Sequence, residues 1–176
     1  MLREFLKKFN INIIYLAFFV LSTGCFGIIY LRHSKSAKIY SVITRKKAKL
    51  ENTKYKAFFV CNFEQMRSIE NLKNVNDIST IFKDSEISFY YLFALKDTHD
   101  IYFDSIQSIA VRNNIEDKQI VYVDLEEKNN FLDKNSINAY PTLIIFNQKN
   151  KVIYKHVGWN DTANISREID KIIKNA

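Results

Sequence analysis

The alternation of apolar and polar positions divides the chain into three regimes. The first holds no charged residue between Lys8 and Arg32, and its core, 11–31, is mostly Ile, Leu, Phe, Val, Tyr and Ala. About 20 such residues at 1.5 Å each cross a hydrocarbon layer roughly 30 Å thick, so the run predicts a membrane-spanning helix. Tyr15 and Tyr30 lie near its ends, where amphipathic rings are favoured. The second regime, 32–54, is polar and basic without strong periodicity. It reads as a solvated linker, with helix-compatible composition over 37–50.

The third regime is regular. Residues 55–61 read as a strand, and apolar positions at Met66, Ile69, Leu72, Val75, Ile78 and Ile81 predict one or two helices over 63–82. The near-continuous apolar run 87–95 suits a central strand buried on both faces. After a polar break at 96–100, helical spacing resumes over 101–111, and 120–125 reads as a second central strand. A short helix follows over 129–137, with Asn138 as its stop. Then come a strand at 142–146, a turn at 147–150 and a hairpin partner at 151–157. Gly158 breaks the pattern, Asp161 or Thr162 can cap, and Ile165, Ile169, Ile172 and Ile173 form the stripe of a last helix. The expected organisation is a basic stub (1–9), an anchor (10–31), a basic juxtamembrane linker (32–54) and an α/β domain (55–176).

Charge changes the picture once it is divided by position. Residues 1–50 carry ten Lys or Arg and one acid, whereas 51–176 carry sixteen and eighteen, a net −2. The overall +7 therefore belongs to the anchor region, the globular part has no footprint for a polyanion, and no nucleic-acid partner is expected. Basic residues number three before the span and seven just after it, which by the positive-inside rule holds the domain in the cytoplasm. A basic stub before an apolar run also launches secreted domains, and the extracytoplasmic side is the expectation adopted. The membrane is the first expected partner.

Two cysteines, Cys25 and Cys61, are too few and too far apart for a disulfide framework or a zinc site. Cys61 lies in an apolar strand and reads as a buried, inert thiol. Leu21-Ser22-Thr23-Gly24-Cys25 resembles a bacterial lipobox, in which Cys25 would be lipidated. Ser22 stands where Leu, Val or Ile is usual, and apolar residues continue past Cys25, so the uncleaved anchor is preferred over a lipoprotein or a cleaved signal.

The single proline opens an apolar, β-favouring run, Ala139-Tyr140-Pro141-Thr142-Leu143-Ile144-Ile145-Phe146. This run resembles the proline-strand signature of the thioredoxin fold, and the order of elements, with a glycine after the hairpin, is similar to that fold over 57–176. The resemblance implies a central mixed sheet flanked by helices, with the proline in cis beside a C-x-x-C dithiol that follows a central strand and opens the next helix. Within the superfamily the chain looks most like the bacteriocin-transport accessory group of Gram-positive bacteria.

Matching Phe93-Ala94-Leu95-Lys96-Asp97-Thr98-His99-Asp100-Ile101 to the dithiol segment of that group puts Thr98 and Ile101 at the cysteine positions. No cysteine occurs between 62 and 176, and disulfide exchange needs a thiolate. The expectation is therefore a protein that is not an enzyme: a membrane-anchored, redox-inactive binding domain without cofactor or metal. Its implied role is as an accessory in bacteriocin or peptide export or maturation, with a protein or peptide partner docking along Tyr140, Pro141 and Thr142. Two alternatives stand beside it. One is an assembly or stabilising subunit of a membrane complex. The other is an enzyme of unrecognised type using Asp97, His99 and Asp100, with Glu126 as a distant metal ligand, although Asp-x-His-Asp is better explained as a polar helix cap. His33 falls in the linker and His156 on a strand face.

Overall fold

Residues rich in Val, Ile, Phe and Tyr assemble one six-stranded mixed sheet in the computed structural model, which describes residues 37–63, 65–96, 98–128, 130–159 and 161–175. These residues belong to one compact unit that begins at Ala37. The strands are β1 (Tyr40–Ser41), β2 (Tyr55–Asn62), β3 (Ile87–Leu95), β4 (Ile120–Asp124), β5 (Thr142–Asn147) and β6 (Val152–Val157). The helices are α1 (Met66–Glu70), α2 (Leu72–Ile81), α3 (Asp100–Arg112), α4 (Phe131–Lys134) and α5 (Thr162–Lys174). Their spatial order across the sheet is β1-β4-β3-β2-β5-β6. β2 pairs parallel with β3, and β3 with β4, while β5 runs antiparallel to both β2 and β6.

The central position of β3 explains its composition. All nine of its residues are buried, because helices or loops cover both faces of a strand with parallel neighbours on each side. One face packs Phe59, Tyr91, Phe93, Phe103, Ile106 and Tyr122 together; the other packs Phe58, Tyr90, Leu92, Phe131, Ile144 and Phe146. Tyr91 keeps its hydroxyl satisfied at depth, 3.2 Å from Asn76 Oδ1 and 3.4 Å from Ser79 Oγ.

The helical region after β2 forms two helices that meet at Asn71. α4 is shorter than its pattern suggests. Asn130 Oδ1 accepts from the Leu132 and Asp133 amides to start it, and the chain leaves the helix at Asn135, before the expected stop at Asn138. Asp161 caps α5 by accepting from the Asn164 amide, and Gly158 supplies the positive φ of 84° that turns the chain out of β6.

Residues 37–54 are not the free spacer, nor the helix over 37–50, that their composition suggests. They form a strap. β1 pairs antiparallel with β4, the Ser41 amide donates to Lys46 O, the Ala48 amide donates to Ile39 O, and Val42 is fully buried. The compact unit thus starts at Ala37 instead of 55. Lys and Arg at six of these positions mask three buried or stacked contacts, made by Ile39, Tyr40 and Val42, that tie the strap to the sheet.

The expected membrane span at 10–31 and Cys25 lie outside the described residues. Among the described residues no helix is long and apolar enough to cross a membrane.

Candidate functional site

Pro141 opens β5, and the Tyr140–Pro141 bond is cis. Antiparallel pairing sets Thr142 opposite Val60, so the proline stands beside the C-terminal end of β2. The Thr142 hydroxyl donates to Ala139 O at 2.7 Å and closes the loop on itself. Pro141 O accepts the Gly158 amide at 2.8 Å, which fixes the loop to the end of β6. Tyr140 is half-buried, and its main-chain N–H and C=O have no hydrogen-bond partner among the described residues. Burial raises the pKa of its phenol, with a further contribution from nearby Cys61.

This topology relocates the dithiol-equivalent position. The neighbour of β5 is β2, and β3 lies one strand further away. The segment that both follows a central strand beside the proline and opens a helix is therefore 63–66, between β2 and α1. Phe63, Gln65 and Met66 occupy it; Gln65 is the residue before the helix, and its amide donates to Asn62 O. Thr98, expected at a cysteine position, sits in the turn between β3 and α3, and Ile101, expected at the other, in the first turn of α3. Both are exposed, Ile101 to 70%. The most apolar run, 87–95, suggests itself as the strand before that position; in the sheet it lies one strand further from Pro141, beside β2.

No thiol stands at either segment. Cys61 is the free cysteine among the described residues, and it points into the core with Sγ 3.6 Å from Leu92 O. Burial pushes its thiol pKa far up. The inert buried thiol read from its apolar flanks is what the fold contains.

Of the Asp97/His99/Asp100 grouping, the described residues His99 and Asp100 belong to no metal-binding cluster. Asp97 is outside the described residues, and Asp100 is held by Arg45, with Nη1 2.6 Å from Oδ1. Arg45 itself lies over the Phe103 ring at 4.7 Å. Glu126 donates its amide to Asp124 Oδ1 in a separate turn. Among the described residues no three His, Cys, Asp or Glu side chains are grouped to hold a metal ion. His156 stacks on Tyr154 with ring centroids 6.4 Å apart, far from a nucleophile–base arrangement.

A small pocket of about 110 Å³ lies at the C-terminal ends of β2, β3 and β4, lined by Phe63, Ala94, Leu95, Lys96, Tyr102 and Leu125. Carboxyl ends of parallel strands are where open α/β sheets place ligands. Phe63 meets Tyr102 edge-on there at 5.7 Å. Behind the loop, Ser68 is fully buried in α1 with its Oγ unpartnered among the described residues. Neither feature was signalled in the sequence, because each depends on bringing two loops together. A larger pocket of about 320 Å³ opens around the N-terminal end of β3, between Glu51, Asn76, Ser88 and Lys118, away from Pro141.

A mixed sheet of this order, with a cis-proline beside the strand that leads into a helix, is the thioredoxin-like fold. Solved structures agree. An exposed lipoprotein thioredoxin of Streptococcus pneumoniae superposes with a TM-score of 0.57 at 14% identity, covering 76% of this chain and 97% of that one. A thiol–disulfide isomerase of Corynebacterium glutamicum gives 0.57 at 13% identity, covering 73% and 88%. A secreted disulfide oxidoreductase of Mycobacterium tuberculosis gives 0.56 at 6% identity, covering 76% and 93%. No protein-family model and no curated protein matches the sequence.

These likenesses correct one expectation. The missing dithiol alone predicts no enzyme, yet the structures the chain superposes on are described as a thioredoxin, a disulfide oxidoreductase and a thiol–disulfide isomerase. Disulfide exchange is the chemistry of the company this fold keeps, and none of the three is described as a bacteriocin accessory.

Proposed function

We propose that the chain is a membrane-tethered thioredoxin-fold protein that works within thiol–disulfide exchange. It docks an extended, cysteine-bearing polypeptide along Tyr140, Pro141 and Thr142, and the attacking thiolate comes from a second protein bearing a dithiol. The chemistry requires that division, because exchange proceeds by thiolate attack on a disulfide sulfur and the 63–66 segment has no sulfhydryl.

The observation that carries the reading is the Tyr140 main chain, whose N–H and C=O lack partners among the described residues and lie at the mouth of a sheet strand. An extended segment added there would gain two backbone hydrogen bonds in the manner of strand addition. An exported peptide, as in bacteriocin export or maturation, is a client of matching shape. The reading includes a single-pass anchor over 10–31 and a domain on the extracytoplasmic side.

Amide hydrogen exchange on the full chain in detergent, with and without a disulfide-containing client peptide, tests the docking. The expected result is new protection at the Tyr140 amide and slower exchange at Gly158, whose amide already donates to Pro141 O. Protection confined to other segments, or none at saturating peptide, rejects the groove.

A further inference from the structure

The strap carries a feature that docking at Pro141 does not use. Between Ala37 and Leu50 the chain has five cations, Lys38, Arg45, Lys46, Lys47 and Lys49, and no acid. Two of them are spoken for: Lys38 pairs with Glu127 at 2.9 Å and Arg45 with Asp100 at 2.6 Å. Lys46, Lys47 and Lys49 are exposed and make no ion pair with any described residue. Ile43, 38% exposed, stands in the same turn, where the Arg45 amide donates to Ser41 O.

This turn is fixed to the domain. Val42 is buried beside it, the Val42 amide donates to Ile120 O at 3.2 Å, and Tyr40 stacks on Tyr122 at 5.3 Å. A solvated spacer has no need of such anchoring. The acids paired with the strap's 37–50 cations are Asp100 and Glu127, while 51–176 as a whole is only two charges negative. Five residues, 32–36, separate the uncharged run 11–31 from Ala37, and six extended steps span at most about 20 Å. If that run enters a bilayer, the start of the strap at Ala37 is tied to the membrane by no more than that length of chain.

We propose that the 43–49 turn is a membrane-surface contact. Lys46, Lys47 and Lys49 pair with the phosphates of anionic phospholipids, and Ile43 settles among the headgroups. The inference rests on the tether reading. Because the strap is part of the sheet, the contact orients the whole domain on the bilayer instead of leaving it on a swivelling stalk. Cationic side chains near an anionic surface each add to attraction that fades within a Debye length.

The test uses the full chain with Cys25→Ser and Thr44→Cys, labelled with an environment-sensitive fluorophore; buried Cys61 stays unlabelled. The protein is reconstituted in phosphatidylcholine vesicles and in vesicles with 30% phosphatidylglycerol. The expected result is a blue-shifted, brighter emission with phosphatidylglycerol, abolished by 0.5 M salt. Lys46→Gln/Lys47→Gln/Lys49→Gln lowers the ratio of bound to free turn on the order of a hundredfold, from three lysines at the usual gain per cation. Equal emission in both lipids, or a phosphatidylglycerol response that survives the triple substitution, overturns the surface contact alone. Failure of the chain to float with either vesicle overturns the tether and this contact together.

Discussion

Val60 of β2 stands opposite Thr142 of β5, so the segment that leaves β2 emerges beside Pro141. A dithiol rebuilt at Phe63→Cys/Met66→Cys is therefore expected to form an intrachain disulfide and to reduce insulin in the presence of dithiothreitol. The pair Thr98→Cys/Ile101→Cys, one strand further from β5, is expected to give no turnover above the parent chain. Activity from the second pair and not the first would reverse the assignment.

The strap is held by a charge-assisted contact that depends on pH. Tyr40 Oη donates to Glu127 Oε1 at 2.6 Å, and Lys38 Nζ lies 2.9 Å from the same oxygen. The Tyr40 hydrogen bond, and then Lys38, hold the Glu127 carboxyl below its usual value. A carboxylate depressed in the folded state stabilises it fully above the unfolded pKa of about 4.3, and that contribution disappears as pH falls through the lower folded value. Amide exchange at Tyr40 and Val42 should accelerate below about pH 4 relative to amides of β3. Glu127→Gln should flatten that dependence.

Phe59 is buried in β2 and meets Trp159 edge-on at 5.4 Å. Phe59→Ala is expected to cost about 3–5 kcal/mol by removing packing and leaving a cavity. Urea denaturation followed by Trp159 emission, the chain's one tryptophan, measures the loss. A change below 1 kcal/mol would mean that the surroundings collapse into the space.

Tyr91→Phe removes the hydroxyl shared with Asn76 and Ser79 while leaving the ring in place. The expected destabilisation is about 1 kcal/mol, the usual net value of one buried hydrogen bond. Equilibrium unfolding of the two chains side by side decides it, and an unchanged midpoint would show that Asn76 and Ser79 satisfy each other.

The third regime of the chain was legible because its periods are clean. Strands β3, β4 and β5 are short apolar runs bounded by polar residues, and α5 repeats its isoleucines on one face. The strap was not, because two buried residues among lysines leave no period to detect. The site was half legible. Pro141 marks its own place in sequence, whereas its neighbour is set by strand order, and β2 and β3 are both apolar candidates until Thr142 is paired with Val60. Composition singled out the more hydrophobic strand, and the ladder chose the other.

Cys61 sits at zero exposure in β2, paired with Phe93 of β3 and packed in the core with Leu72 and Phe103, so a reagent reaches it only when that part of the core opens. In a Cys25→Ser chain it becomes the sole thiol and so a built-in clock. When reclosing outpaces alkylation, the labelling rate divided by that of a free thiol gives the opening equilibrium of the sheet's centre directly. A thiol buried at the centre of the sheet can thus time, in a crowded membrane preparation, how often the domain opens.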